Sequence, residues 1–341
     1  MYLNDNDLNK MSKEKISLDS ENIDLYKITP EYGTIIVTGG SGLVGSAIRE
    51  ISKDYYGYEF IFLDSKFLDL RDEKKTIEYF CKVNPTYVIH LASNVGGLFK
   101  NMKYKVEMFE DNMKINMNVL RASHLAKVKK VVSCLSTCIF PDETIYPIDE
   151  SMLHDGPPHW SNDSYAYAKR MLEVLSRGYR EEYGDDFICV IPCNVYGKND
   201  NFSLEDGHVI PSLIHQCYLS KRYGNYFVVR GSGKPLRQFI YSEDLAKLIL
   251  WSLFEYHGKD SLILADEREW SIGEISRMIS RAFGMEDRIV FDTSKEDGQY
   301  KKTVSTNKLK KLYGNIVFVD MEKKIEEIVE WFCKNYENIK R

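Results

Sequence analysis

The chain has 341 residues, of which 43% are hydrophobic and 28% charged, so it carries enough apolar material for one or two globular domains. Its formal net charge of −5, from 46 Lys and Arg against 51 Asp and Glu, argues against a surface that coats nucleic acid, though not against a local pocket for a phosphorylated ligand. Seven single cysteines without a CxxC pair favour reduced thiols over disulfides or a zinc site, and we expect no metal.

The first 32 residues form a predicted polar N-terminal extension. They are acid-rich and lack the apolar core of a signal peptide. No run in the chain approaches the roughly 18 apolar residues of a membrane span. We therefore expect a cytoplasmic protein that does not contact membranes.

Strand-like and helix-like patterns alternate from residue 34 onward. Apolar runs typical of buried strands occur at 34–37, 60–63, 87–91, 130–135 and 187–191, and helical patterns occur at 43–53, 72–83, 105–126 and 165–183. Continuous apolar strands separated by helices indicate the α/β class, with a Rossmann-type doubly wound parallel sheet covered on both faces.

The rhythm changes after about residue 197, where Gly- and Asp-rich loops separate predicted helices at 209–221, 242–256, 271–283 and 321–335. Ser271 and Glu274 form a capping-box pattern at the start of the third of these helices. We interpret residues 33–197 as a dinucleotide-binding domain to which later segments return. Residues 198–341 are then mainly a smaller C-terminal α/β substrate lobe.

A glycine-rich turn, "TGGSGLVGSAI", joins the first strand to the first helix. Glycines permit a tight turn and a close backbone approach to a pyrophosphate, which then lies on the helix N-terminus. A plain structural turn is the alternative, but the preceding strand and following helix favour dinucleotide binding. The predicted cofactor-binding residues are Gly39, Gly40, Ser41, Gly42, Leu43, Val44 and Gly45.

Two residues after the second strand give opposite indications about the cofactor. Asp64 suits the 2′-hydroxyl of an NAD ribose, whereas Lys66 suits the 2′-phosphate of NADP. Both are candidate cofactor ligands, and the choice between NADPH and NADH stays open at this point.

A Ser–Tyr–Lys set is the predicted catalytic group. Tyr165 and Lys169 lie one helical turn apart, and Ser136 follows the end of the fourth strand, where ligands bind in open α/β sheets. Lys169 would lower the pKa of Tyr165 and bind the nicotinamide ribose, while the phenol passes a proton to or from a carbonyl. Simple packing of aromatic rings fits Tyr167 and Tyr179 better.

Several longer strings carry a specific resemblance: "HLASNVGGLFKN", "VVSCLSTCIFP", "YAYAKRM", "NVYGKNDNF", "EDGHVIP" and "RQFIYSEDLA". Over about residues 33–335 the sequence resembles the GDP-L-fucose synthase family of extended short-chain dehydrogenases/reductases. The resemblance implies epimerisation of GDP-4-keto-6-deoxy-D-mannose at carbons 3 and 5, then reduction of the ketone with NADP(H). It also implies a homodimer built through the helices at 105–126 and 165–183.

The resemblance also implies roles for individual residues. Ser136 and Tyr165 would stabilise the enolate oxyanion, with Cys138 as base and His208 as acid. A thiol can act as a base when a polar or cationic neighbourhood brings its pKa towards neutrality, and histidine keeps a proton available near pH 7. Cys138 could instead be a buried core thiol, as we expect Cys134 and Cys189 to be. His208 could instead be a loop histidine that forms hydrogen bonds with the backbone.

The remaining implied residues bind cofactor or substrate. Around the nicotinamide they are Leu135, Ser136, Lys169, Pro192, Asn194, Val195 and His208. Around the guanosine diphosphate they are Gln216, Arg230, Arg237, Asp297 and Lys302. The chain departs from the family pattern at Arg230, where the family often has Trp, and at Gln216, where a basic residue is usual.

Two other functions stay open on sequence grounds. The first is an epimerase or reductase of a related GDP-keto-deoxy sugar, because sugar contacts come from loops. The second is a non-catalytic NADP-binding sensor, which would have no reason to keep Ser136, Cys138, Tyr165, Lys169 and His208 together.

Overall fold

The computed structural model describes residues 32–339, except for residues 296, 298 and 299. The predicted polar extension at 1–32 lies outside the described residues, apart from Tyr32. Among the residues that are described, no helix is long and apolar enough to cross a membrane.

A six-stranded, entirely parallel sheet forms the centre of the fold, in the order β2-β1-β3-β4-β5-β9. Its strands are β1 Gly33–Thr38, β2 Tyr58–Leu63, β3 Tyr87–His90, β4 Lys130–Cys134, β5 Phe187–Pro192 and β9 Leu262–Leu264. Strands β3 and β5 are buried along their whole length, as their apolar sequences predict. The strand order reverses direction between β1 and β3, which opens a ligand-binding crevice at the carboxyl ends of these strands. The predicted doubly wound sheet is confirmed.

Ten helices are found in the described part of the chain. They are α1 Leu43–Ile51, α2 Glu73–Val83, α3 Leu98–Lys103, α4 Lys105–Leu125, α5 Asp163–Tyr183, α6 Val209–Tyr223, α7 Ser242–Phe254, α8 Ile272–Ala282, α9 Asn307–Tyr313 and α10 Met321–Asn335. Helices α2, α4 and α5 pack side by side in one layer, and α1 packs against α7 in another.

Local sequence signals fix several helix ends. Asp72 begins α2 by accepting a hydrogen bond from the Lys75 backbone N–H at 3.0 Å. The capping box predicted at Ser271 and Glu274 is confirmed at the start of α8. Helix α5 ends at Gly184, whose φ of +77° suits glycine.

A second, smaller core lies among the later elements. Strands β6 Asn194–Tyr196, β8 Leu236–Tyr241 and β10 Glu269–Ser271 form one small sheet, and β7 Phe227–Arg230 pairs with β11 Ile289–Asp292 in another. Phe227, Ile325 and Phe332 are fully buried among these elements. After residue 197 the chain also contributes to the large sheet and its helical layer, because β9 extends the sheet beside β5 and α7 packs on α1.

A connecting segment, residues 300–305, crosses between the loop around Ile148 and strand β8. The Ile148 N–H donates to the Thr303 carbonyl at 2.9 Å, and the Ser305 N–H donates to the Ile148 carbonyl at 2.7 Å. On the other side, the buried Gln238 amide accepts from the Val304 N–H at 2.8 Å and donates to the Val304 carbonyl at 3.1 Å. These bonds fix the segment that carries Lys302.

Replacement of the Gln238 amide should destabilise the fold. Gln238→Leu introduces an apolar side chain of similar size and leaves the two backbone groups of Val304 without their partners. We expect a loss of about 3 kcal/mol in the free energy of unfolding, measured by urea denaturation. Asn225→Leu is the matched control, because Asn225 is exposed and its side chain bonds to none of the described residues. A loss no larger than that of the control would contradict this account of the segment.

Candidate active site

The glycine turn places the N-terminus of α1 at the carboxyl edge of the sheet. Gly39 has a φ of +69°, in the left-handed region that favours glycine. A Cβ on Gly40 would lie 2.6 Å from Phe62 Cβ, and one on Gly45 would lie 2.5 Å from the Gly39 oxygen. No acidic side chain occurs in the first turn of α1, and its Ncap residue, Gly42, is exposed. The turn can therefore receive the pyrophosphate of a dinucleotide on open backbone N–H groups.

The end of β2 presents both groups that the sequence singled out. Asp64 Oδ1 accepts hydrogen bonds from the backbone N–H groups of Lys66 and Phe67, each at 3.0 Å. One of the two carboxylate oxygens therefore stabilises the turn in which Asp64 lies. Lys66 is exposed beside it. The Arg49 guanidinium, which sequence reasoning missed, lies 4.0 Å above the Phe62 ring on the same strand. Two cations thus stand near this strand end, which suits a ribose phosphate.

Ser136 and Cys138 lie on one short turn after β4. Ser136 begins a 3₁₀ turn, Thr137–Ile139, and its Oγ accepts a hydrogen bond from the Cys138 N–H at 3.4 Å. Both side chains are half-buried, whereas Leu135 before them is buried and belongs to the core. Side chains of two different chemistries therefore reach the crevice from the same turn.

Tyr165 and Lys169 face this turn from α5. Lys169 is 2% exposed, and its Nζ donates to the Cys134 carbonyl at 2.8 Å and lies 5.9 Å from the centre of the Tyr165 ring. Burial raises the pKa of Tyr165, and the Cys138 and Cys134 side chains add to this effect. Burial likewise lowers the pKa of Lys169. The phenol therefore keeps its proton until a ligand changes its surroundings.

Ser93, which sequence reasoning missed, also contacts Tyr165. A hydrogen bond between the Ser93 hydroxyl and Tyr165 opposes the rise in the pKa of Tyr165. The same hydroxyl donates to the buried Asn112 Oδ1 at 2.6 Å. The available sequence signal was the position of Ser93, directly after a buried strand that ends at the crevice.

A buried network of hydrogen bonds behind the site links the sheet to helices α4 and α5. His90 lies 2.8 Å from Thr38 Oγ1 and 3.1 Å from Asn116 Oδ1, and the Asn116 amide donates to the Ala168 carbonyl at 3.2 Å. Burial and the nearby Lys169 lower the pKa of His90 to about 3, so its ring is neutral. This network fixes the position of α5 relative to the ends of β1 and β3.

His208 lies in the loop before α6 and has one acidic neighbour. Its Nδ1 is 3.8 Å from Asp200 Oδ1, and its side chain is 55% exposed, whereas Asp200 is buried. The interaction with the Asp200 carboxylate raises the pKa of His208, against the opposing effect of partial desolvation. Among the described residues, no hydrogen bond or ion pair joins His208 directly to Cys138 or Tyr165.

Lys302 lies near the Cys138 turn, and Arg237 lies near Lys302. Burial lowers the pKa of Lys302, and electrostatic interactions with Cys138, Arg237 and Asp142 modify it further. Arg237 lies on β8, where it donates to the Leu236 carbonyl at 2.7 Å, and burial lowers its pKa as well. The structure thus brings Lys302 close to Cys138, the predicted base, and Arg237 close to Lys302.

Gln216, Arg230 and Asp297 lie together around β7. The Gln216 amide donates to the Val228 carbonyl at 2.7 Å, and the Asp297 carboxylate accepts the Ser232 N–H at 2.8 Å. Hydrogen bonds from Ser232 lower the pKa of Asp297. Arg230 is exposed at the end of the strand. Gln216 and Asp297 therefore hold the β7 strand and its loop, while the Arg230 guanidinium faces outward.

The segment predicted to line the nicotinamide lies where the chain leaves the large sheet. Pro192 ends β5, and Asn194 and Val195 belong to β6, which pairs with β8. The Asn194 amide donates to the Gln238 carbonyl at 2.8 Å.

Among the described residues, no group of three or more His, Cys, Asp or Glu side chains is arranged to hold a metal ion.

Comparisons with known proteins agree with this geometry. Residues 35–265 match the model of the NAD dependent epimerase/dehydratase family. A GDP-L-fucose synthase of Dictyostelium discoideum is 52% identical over 90% of this chain and 98% of its own length. The chain belongs to the GDP-L-fucose synthase family. Another member, a probable GDP-L-fucose synthase of Drosophila melanogaster, is 45% identical over 90% of this chain and 99% of its own length.

A solved structure of a member of the GDP-L-fucose synthase family has the same fold. The GDP-L-fucose synthetase of Naegleria fowleri bound to NADP has a TM-score of 0.87 and 48% identity, covering 91% of this chain and 96% of that one. The resemblance found in the sequence is therefore confirmed at the level of family and fold.

Proposed function

We propose that this chain converts GDP-4-keto-6-deoxy-D-mannose to GDP-L-fucose by epimerising carbons 3 and 5 and then reducing the 4-ketone, with NADP(H) as its cofactor. The observation that carries the proposal is the placement of Ser136 and Cys138 on one turn opposite Tyr165 and Lys169. A reductase needs Ser136, Tyr165 and Lys169, whereas a thiol on the same turn serves a second reaction. The 52% identical relative named GDP-L-fucose synthase supports the same reading.

Both epimerised carbons flank the ketone, so loss of a proton from either one gives an enolate. Cys138 removes the proton, and Ser136 and Tyr165 donate hydrogen bonds to the enolate oxygen. Lys302 interacts electrostatically with the thiol, and Arg237 interacts with Lys302. A single oxyanion site thus serves both inversions and the later reduction.

Inversion requires that the new proton arrive on the opposite face of the ring. His208 donates this proton from its own loop, and the nearby Asp200 favours the protonated ring. The absence of a direct bond between His208 and Cys138 among the described residues fits an acid and a base that meet through the sugar.

Tyr165 completes the reduction by protonating the oxygen at carbon 4. Burial raises the pKa of Tyr165 and so keeps the phenol protonated. The Lys169 Nζ, 5.9 Å from the centre of the ring, favours the phenolate that remains after the transfer. When bound, NADPH supplies the hydride that carbon 4 receives.

Two sets of residues bind the ligands. The turn from Gly39 to Gly45 receives the cofactor pyrophosphate, and Lys66 contributes to a ribose 2′-phosphate site near Asp64. Leu135, Pro192, Asn194 and Val195 line the nicotinamide. The diphosphate of the GDP-sugar is bound by Arg237 and Lys302. The part of the substrate site that binds the nucleoside is formed by Gln216, Arg230 and Asp297.

The direct test of this function uses two readouts on the purified protein. With GDP-4-keto-6-deoxy-D-mannose in heavy water, we expect deuterium at carbons 3 and 5 of the sugar and oxidation of NADPH, faster than of NADH. Mass spectrometry and absorbance at about 340 nm report the two steps separately. A related GDP-4-keto-deoxy sugar used at equal concentration should react more slowly. Lack of both exchange and cofactor oxidation would sink the proposal.

The two partial reactions should respond differently to two substitutions. Cys138→Ser removes the base, so we expect deuterium exchange to fall by about 10²–10⁴-fold while reduction of a pre-epimerised ketone is retained. Tyr165→Phe removes the phenolic proton and should slow reduction by a similar factor. Cys81→Ser, the same change at an exposed thiol, is the control. Equal loss of both reactions in Cys138→Ser would mean that the thiol is structural.

The compartment and assembly complete the proposal. All seven cysteines are free thiols, which supports a reducing compartment such as the cytoplasm. Helices α4 and α5 carry outward apolar stripes at helical spacing, formed by Val106, Phe109, Met113 and Met117 on α4 and by Tyr167, Met171, Val174 and Gly178 on α5. Two copies of this helix pair can bury the stripes in a four-helix homodimer interface.

A charge within the stripe should separate the copies. Met117 is 51% exposed, and Met117→Asp should convert a dimer of twice 39.7 kDa into monomers, because a buried unpaired carboxylate is costly. Sedimentation velocity gives the mass. Val317→Asp is the control, since Val317 is 92% exposed outside both helices. An unchanged mass for Met117→Asp, or a monomeric wild-type chain, would overturn this interface.

A further inference from the structure

The side chain of His208 is not used to cap the helix that it precedes. His208 occupies the Ncap position of α6, but its side chain makes no capping hydrogen bond. Its Nδ1 lies 3.8 Å from Asp200 Oδ1, an ion-pair distance, and more than half of the ring stays exposed. The ring is thus oriented by a carboxylate on one side and accessible on the other.

Asp200 is a buried carboxylate whose own hydrogen bonding is incomplete. It is 6% exposed, and its Oδ1 accepts the Asn201 N–H at 2.7 Å. Its Oδ2 is buried and has no hydrogen-bond partner among the described residues. A buried carboxylate oxygen without a donor is destabilising, so the fold needs a reason to keep it there.

We propose that Asp200 is a positioning residue that orients His208 and maintains its proton for delivery to the sugar. The inference rests on the proposed function, in which His208 is the acid. With Nδ1–H directed at Asp200, Nε2–H is left to donate. The Nε2–H bond breaks as a C–H bond forms at the enolate carbon, and the enolate returns to the ketone. Asp200 stays ionised, and the neutral ring regains a proton from water.

Other charged groups near His208 are directed elsewhere. Glu205, in the same loop, interacts electrostatically with Lys103 of α3. The Asp206 side chain makes no hydrogen bond or ion pair with the described residues, although its backbone carbonyl accepts the Gly97 N–H at 3.0 Å. The imidazole at the start of α6 therefore has Asp200 as its acidic partner.

The sign of the expected pH effect follows from this pairing. Asp200 raises the pKa of His208, so the imidazolium persists to higher pH than it would alone. Replacement by a neutral amide removes this support and lowers the pKa of His208. The acid form is then lost at a lower pH, and the alkaline limb of the epimerisation profile shifts in the same direction.

The experiment compares Asp200→Asn, Asp200→Glu and the matched control Asp206→Asn with the wild-type protein. Deuterium exchange into the GDP-keto sugar, in the presence of NADP⁺, is followed from about pH 6 to pH 9. We expect the rate of Asp200→Asn, relative to that of the wild type, to fall with rising pH and to reach about a tenfold deficit at the alkaline end. Asp200→Glu should restore part of the exchange rate, and Asp206→Asn should exchange at the wild-type rate. Asp200→Asn should still reduce a pre-epimerised ketone at the wild-type rate.

A titration of the His208 ring by NMR, assigned with His208→Gln, measures the pairing without turnover. A lower titration midpoint in Asp200→Asn supports the inference, and an unchanged midpoint overturns it even if His208→Gln abolishes exchange. A deficit in Asp200→Asn that is equal at every pH and shared by the reduction also overturns it, because it indicates a structural role. Wild-type protein that exchanges no deuterium would instead overturn the proposed function, while the titration still decides the pairing.

Discussion

The hydrogen bond from the Lys169 ammonium to the Cys134 carbonyl, 2.8 Å long and buried, sets the relation between helix α5 and the end of strand β4. An ammonium removed from water must keep a strong acceptor, and a backbone carbonyl at a strand end cannot move without moving the sheet. The Tyr165 ring, one turn earlier on α5, is thereby held opposite the turn that carries Ser136 and Cys138. The hydrogen bonds from His90 to Asn116 and from Asn116 to the Ala168 carbonyl also fix the position of α5.

Two titratable side chains in this site have raised pKa values for different physical reasons. Tyr165 is buried, and a low-dielectric surrounding disfavours its charged form, so the pKa of the phenol rises. His208 is exposed, and a neighbouring carboxylate favours its charged form, so the pKa of the imidazole also rises. Desolvation would have the opposite effect on a histidine, as the buried and neutral His90 demonstrates. Two environments of opposite character thus raise the pKa values of a phenol and an imidazole.

The sequence was informative where one physical signal dominates. Apolar runs predicted five strands of the large sheet, and the glycine turn, Ser136 and the Tyr165–Lys169 spacing pointed to the crevice, because parallel strands direct their carboxyl ends to one edge. It was silent about Asp200, Ser93 and Arg49, whose relevance comes from three-dimensional neighbours. Short strands such as β6 and β10 escaped notice because three residues carry no periodicity. The roles of the individual site residues stay predictions, as does the division of the chain at residue 197.

Strand β9 has a consequence for how the protein is made. Its three residues, Leu262–Leu264, complete the large sheet beside β5, although some 70 residues lie between the two strands along the chain. A nascent chain must therefore emerge from the ribosome beyond residue 264 before the nucleotide-binding sheet can close. Until then, the edge of β5 offers unpaired backbone groups to other chains. A fragment that ends near residue 197 would consequently lack the sixth strand of the large sheet.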